Sequence, residues 1–175
     1  MPDPSSLSVS ETVSRFSART LPRWEELPDF ELYMDQVLSL VGRALAGYPG
    51  FDAKGLTAAM VNNYVKAGLL ASPVKKRYTK SHIARLLIVC ILKPVLPIAS
   101  IRAIFADSLA AENEAALYDR FCERFEESCR ETASAVPVPR AENAHEKSAA
   151  AVRAALRAQS AQALALSLLS TSNRA

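Results

Sequence analysis

Residues 56–87 read LTAAMVNNYVKAGLLASPVKKRYTKSHIARLL. Thr57 can cap a helix of residues 58–66 with its hydroxyl, and Gly68, two residues past the end, is the natural stop. Val61, Tyr64 and Val65, continued by Leu69, form the apolar stripe of that helix. Its other face carries Asn62, Asn63 and Lys66, which the helical period turns outward together. Asn is a middling helix former, so two in succession on an outer face are either merely solvated or placed there for a chemical use. Residues 71–78 follow, with Pro73 and the run Lys75-Lys76-Arg77. They are too few and too polar for a helix and suit a tight, two-legged basic loop. Thr79 then caps a third helix reaching residue 92, with Ile83 and the whole run 86–92 apolar. A helix apolar nearly all round belongs at the centre of a core.

Upstream, Asp29 is a plausible N-cap for a helix whose Phe30, Met34, Val37, Leu38, Val41 and Leu45 share one face. Gly47, Pro49, Gly50 and Gly55 make 46–56 a loop. Residues 1–20 are polar and without periodicity, which predicts a flexible arm. Leu21-Pro22, Trp24 and Leu27-Pro28 read as an extended lead-in pinned by one aromatic. Downstream, Pro94 ends the buried helix, and Pro97 opens a fourth with Ile98, Ile101 and Phe105 facing in. A fifth helix over 112–132 carries Tyr118, Phe121, Cys122, Phe125 and Cys129 in one stripe. After Pro137-Val138-Pro139 an alanine-rich helix over 141–169 presents Val152, Leu156, Ala163 and Leu164.

The 175 residues include 21 Lys or Arg and 18 Asp or Glu, a net charge of +3. Between Ala53 and Ala106 stand nine cations, Lys54, Lys66, Lys75, Lys76, Arg77, Lys80, Arg85, Lys93 and Arg102, and no carboxylate. Subtraction leaves 21 − 9 = 12 basic against 18 acidic residues elsewhere. A basic segment inside an acidic chain attracts phosphate or another polyanion, unless its lysines serve solubility alone.

Five glycines leave no place for G-x-G-x-x-G or a phosphate-cradling loop, and neither H-E-x-x-H nor G-x-S-x-G occurs. Catalytic residues, cofactors and metal ligands are therefore not expected. Cys90, Cys122 and Cys129 form no C-x-x-C pair and suit core or interface packing. His82 reads as a surface or capping residue. The longest apolar run, 86–92, falls far short of the ~20 residues that span a bilayer. The first twenty residues lack the apolar core of a secretory signal, so a cytoplasmic protein with no membrane partner is expected.

The string Thr57, Val61-Asn62-Asn63-Tyr64, Lys66, Gly68-Leu69-Leu70, then Arg77-Tyr78, His82-Ile83-Ala84-Arg85-Leu86, then Pro97-Ile98 and Ile101 resembles the winged helix-turn-helix of MerR-type transcription regulators. More closely, it is similar to a small bacterial domain family of unknown function. The resemblance covers about residues 21–107. It implies that 58–66 is a recognition helix, with Asn62 where MerR-type proteins usually carry Arg and Tyr64 at their Tyr position. Lys75, Lys76 and Arg77 would form the wing, shorter than usual, and the 46–56 loop is longer than usual.

The resulting expectation is a mainly α protein: a flexible arm (1–20), a MerR-like DNA-binding domain with a short wing (21–107), and a helical dimerisation or interaction region (108–175). The expected partner is double-stranded DNA, read by a homodimer; no small-molecule effector can be named. Asn62 and Asn63 suit bidentate contacts to adenine, and Thr57, Lys66, Lys75, Lys76, Arg77, Tyr78 and Lys80 complete the expected interface. Tyr78 could reach a phosphate through its phenol or instead close the loop over the core. Four to five phosphate contacts set a log–log salt slope on the order of −4. The alternative is a protein-interaction adaptor that keeps the fold and meets its partner through Val74, Tyr78 and the acidic helical tail.

Overall fold

A computed structural model describes residues 8–48, 55–136 and 144–172. Seven α-helices lie among them: α1 (Val9–Ser17), α2 (Met34–Ala44), α3 (Ala58–Lys66), α4 (Lys80–Leu92), α5 (Ile98–Ala111), α6 (Glu114–Ser134) and α7 (Ala144–Ser172). The chain divides into two compact units, Leu21–Cys122 and a second made of Met1–Thr20 with Glu123–Ala175.

The first unit is built around α4. Eight of its residues are buried, including Ile83, Leu86, Leu87 and Val89, as its all-round apolar sequence requires. Val37 and Val41 of α2, Val61 and Tyr64 of α3, Ile101 and Phe105 of α5 and Tyr118 of α6 complete the core. Each such side chain withdrawn from water contributes about 1.5–3 kcal/mol. Pro97 is the N-cap of α5, which runs on to Ala111. The expected start of the next helix at residue 112 is corrected to Glu114. The break falls at Asn113, whose side-chain oxygen accepts from the Ala116 N–H at 2.9 Å.

The lead-in is held by more than one aromatic. The Trp24 N–H donates to Asp119 at 2.8 Å, the Tyr118 hydroxyl donates to the Pro22 carbonyl at 2.8 Å, and the two rings lie 6.3 Å apart. Burial and the neighbouring Cys122 thiol push the Tyr118 phenol well above its ordinary range.

Two expectations for the helix after the lead-in are corrected. It begins at Met34, so Asp29 is not its cap, and Phe30 is 67% exposed instead of facing in. The cause is a non-local pairing: Leu32 and Tyr78 exchange both backbone hydrogen bonds, at 2.8 and 2.9 Å, which holds the chain before α2 extended. Gln36 then reaches back to accept from the Tyr33 N–H at 2.9 Å. Of the expected 46–56 loop, residues 49–54 lie outside the described residues.

In the second unit, the helix α1 corrects the expectation of an unstructured arm over its span. Ser8 accepts from the Glu11 N–H at 3.1 Å and Glu11 accepts from the Ser8 N–H at 2.9 Å, a reciprocal cap that fixes the first turn. This places Glu11 at the positive end of the helix and lowers its carboxyl pKa, chiefly through the bonds from Ser8. Cys129 and Ala133 on the last turns of α6 and Ala150 on α7 are buried, whereas Val152, Leu156, Leu164 and Leu168 of α7 are exposed.

Candidate nucleic-acid interface

The helix α3 is bounded as its sequence demands. Thr57 accepts from the Met60 N–H at 3.2 Å. At the other end the Leu69 N–H donates to Tyr64 and the Gly68 N–H to Val65, both at 3.0 Å, while Gly68 takes a φ of 74°. This double closure uses the left-handed freedom of glycine to turn the chain under the helix. Between the two ends Val61 and Tyr64 are buried and Asn62, Asn63 and Lys66 are exposed, so the three polar side chains share the solvent face.

The basic loop is a two-residue turn. Val74 pairs with Arg77, the Arg77 N–H donates to the Val74 carbonyl at 2.9 Å, and Lys75 and Lys76 span the tip at φ 49° and 61°. Two positive φ angles are the signature of a type I′ hairpin turn, a place usually given to Asn-Gly. Because Leu32 opposes Tyr78 in antiparallel register, Tyr33 opposes Arg77 on the next rung. The register thus sets Tyr33, Arg77 and Val74 in one outward row, while Leu32 and Tyr78 of the alternate row are buried. These pairings remain single and build no strand among the described residues. The basic segment is thus a tight, two-legged turn, as its sequence predicts, within a mainly helical architecture.

The two elements meet at a cleft of about 520 Å³ lined by Tyr33, Met34, Asp35, Asn62, Pro73, Lys76 and Tyr78. Asn62 of α3 and Lys76 of the turn therefore border the same surface depression. Lys66, Lys75, Lys76 and Arg77 have no carboxylate partner among the described residues. Arg77 instead lays its guanidinium over the Tyr33 ring, 3.9 Å from the centroid.

Other members of the expected set have different occupations. Lys80 is corrected from a free cation to a structural one: its ammonium pairs with Asp29 and lies 5.5 Å from the Trp24 ring, with 12% of the side chain exposed. Of the two readings open for Tyr78, the structure shows the packing one. Tyr78 is 3% exposed and meets the His82 ring edge-on at 5.4 Å, so its ring closes the loop over the core, and that burial raises its phenol pKa. Thr57 is exposed but spends its hydroxyl on the helix cap. Lys54, another cation of the carboxylate-free segment, lies outside the described residues.

His82 is buried instead of lying on the surface, and it does cap. Its Nδ1 accepts from the Thr79 N–H at 3.1 Å, which leaves Nε2–H to donate to the Ala71 carbonyl at 3.2 Å. Desolvation lowers its pKa. Arg85 is occupied too, paired with Glu114 at 2.5 Å and stacked on Phe105. Cys90, mostly buried, has its thiol pushed up to about 12. Among the described residues no group of three His, Cys, Asp or Glu could hold a metal ion, and no helix is long and apolar enough to cross a membrane.

Tyr33 and Asp35 are the site residues that sequence reasoning missed. Their signal is non-local, since only the pairing of residue 32 with residue 78 brings them beside the turn. No curated protein and no solved structure matches the chain. A family described as a domain of unknown function (DUF1836) matches residues 22–121, the span that holds α2 to α5, the basic turn and the cleft. Because that match covers more than half of the sequence, the chain belongs to the DUF1836 domain family.

Proposed function

We propose that the protein is a sequence-specific, double-stranded-DNA-binding transcriptional regulator of MerR-like winged helix-turn-helix type, cytoplasmic and without catalytic activity. The observation that carries this reading is the shared cleft: Asn62 on the solvent face of α3 and Lys76 on the basic turn border one depression. A major groove admits one helix, and an outward Asn amide can donate to and accept from adenine at once. Lys66, Lys75, Lys76 and Arg77, unpaired with carboxylates among the described residues, then neutralise phosphates and fix the register without reading sequence. Four such contacts set a salt slope of about −3.6, at ~0.9 per contact.

One recognition helix binds weakly alone, so the reading takes two copies on two half-sites. Val152, Leu156, Ala163 and Leu166 of α7 are exposed and recur at spacings compatible with a helix–helix seam. A second reading, a protein-interaction adaptor, draws support from Phe30 and Val74, exposed at 67% and 70% close to the basic turn in sequence or pairing.

The test is binding to a pool of labelled duplexes by wild type and by Lys75→Ala/Lys76→Ala/Arg77→Ala. Selective, salt-sensitive binding lost in the triple variant supports the regulator. Absent or salt-insensitive wild-type binding, with a protein retained on purification, supports the adaptor.

A further inference from the structure

We propose that Tyr33 and Arg77 form a preassembled clamp for a phosphodiester strand, in which Tyr33 is the positioning residue and the Arg77 guanidinium makes the contact. This rests on the DNA-binding reading and adds to it a residue outside the recognition helix and the basic loop.

Register sets up the pair. Leu32 and Tyr78 exchange both of their backbone hydrogen bonds, so the neighbouring Tyr33–Arg77 rung is the non-hydrogen-bonded kind, whose side chains approach more closely. The chain on the Tyr33 side is fixed twice, by that exchange and by the Gln36 side chain on the Tyr33 N–H. The backbone that carries the ring is therefore held before anything binds.

The stack leaves the chemistry of Arg77 available. The guanidinium carbon lies over the Tyr33 ring, 3.9 Å from the centroid, and a guanidinium stacked on a ring keeps its in-plane N–H donors free for other partners. No carboxylate among the described residues pairs with those donors. A planar fork matches two phosphate oxygens, and a fork already held in place loses little freedom on binding.

Position supplies the third argument. Tyr33 is 49% exposed and lines the cleft that also holds Asn62 and Lys76, so the clamp stands beside the reading helix and next to the tip lysines. Asp35 also lines that cleft and would repel a phosphate, which sends the strand past Arg77 and the tip instead of down onto the cleft floor.

The test measures duplex affinity against salt for wild type, Tyr33→Phe, Tyr33→Leu, Arg77→Lys and Tyr33→Leu/Arg77→Lys, each checked by thermal unfolding. Tyr33→Phe keeps the π face and should bind like wild type. Tyr33→Leu and Arg77→Lys should each weaken binding about threefold to tenfold, the range a cation–π contact supports. Arg77→Lys keeps its charge, so affinity should fall while the salt slope holds. The double variant should lose no more than the weaker-binding single variant, because both remove one unit. Wild-type affinity in Tyr33→Leu, or additive losses in the double variant, overturns the clamp and leaves the wider reading standing. A wild type that binds no duplex overturns both. Should Tyr33→Leu unfold, Arg77→Lys with Tyr33→Phe decides the matter: unchanged affinity in the lysine variant ends the proposal.

Discussion

Replacing the two tip lysines with the residues their backbone prefers should make the protein more stable and a poorer DNA binder. Lys75 and Lys76 hold φ angles of 49° and 61°, in the left-handed region. Such a conformation costs a residue with a side chain roughly 1–2 kcal/mol, and Gly nothing. Asn tolerates it better than Lys, so Lys75→Asn/Lys76→Gly relieves most of the strain at position 76 and part of it at 75. Gly also frees the unfolded chain, which takes back ~0.5–1 kcal/mol. The net gain is about 1 kcal/mol, or a rise of ~4–8 °C in the unfolding midpoint of a domain of ~100 residues. Affinity should move the other way, with the log–log salt slope reduced by about 1.8 as two phosphate contacts vanish. Thermal unfolding by circular dichroism and duplex anisotropy from low to moderate salt measure the two effects on the same samples. A lower midpoint would refute the strain argument. An unchanged slope would remove the tip lysines from the interface.

Lys80→Ala should cost about 1 kcal/mol of stability through its contacts with Trp24 and Asp29, and leave the salt slope of DNA binding alone; a slope reduced by ~0.9 would return Lys80 to the interface. Lys66→Ala should do the reverse, with unchanged stability in denaturant and a slope lower by ~0.9. Asp35→Asn should raise duplex affinity about twofold at low salt, the repulsion of two charges ~10 Å apart in water, and lose that advantage as salt rises; weaker binding would mean that the carboxylate itself accepts from a base. The folded state holds His82 below its ordinary pKa, so its contribution is fully present above the unfolded value near 6.5 and declines as pH falls toward the folded value. Denaturation midpoints should therefore drop on acidification in wild type, with a smaller drop in His82→Gln; parallel curves would refute it.

The local signals in the sequence carried the helices that matter most. Thr57, the Val61/Tyr64 stripe and Gly68 bound α3 by short-range rules, so Asn62, Asn63 and Lys66 could be placed on its outer face in advance. The all-round apolar run of α4 likewise states its own burial. The Leu32–Tyr78 pairing has no such signal, because single cross-strand pairs leave no alternation to detect. Missing it shifted the start of α2 to Asp29, turned Phe30 inward and hid Tyr33. In α1 the signal existed: Ser8-x-x-Glu11 is a capping pattern that a search for apolar periodicity passes over.

The same non-local contacts decide what the unusual charge distribution means. A stretch without carboxylates suggests nine cations acting in concert, but folding returns acids from outside it. Asp29 comes to Lys80 and Glu114 to Arg85, and both cations also settle on aromatic rings, Trp24 and Phe105. Those two are spent on holding the lead-in and α6 against α4. Lys66, Lys75 and Lys76 receive no acid among the described residues, and Arg77 receives only the face of Tyr33. If the lysines served solubility alone, nothing would favour leaving the unpaired ones next to an exposed asparagine pair, or setting two of them in a strained turn. Lys93 and Arg102 also lack an acid among the described residues, but the four cations of α3 and the turn stand together, two of them in a strained conformation, and it is that grouping which the proposed polyanion-binding role would use.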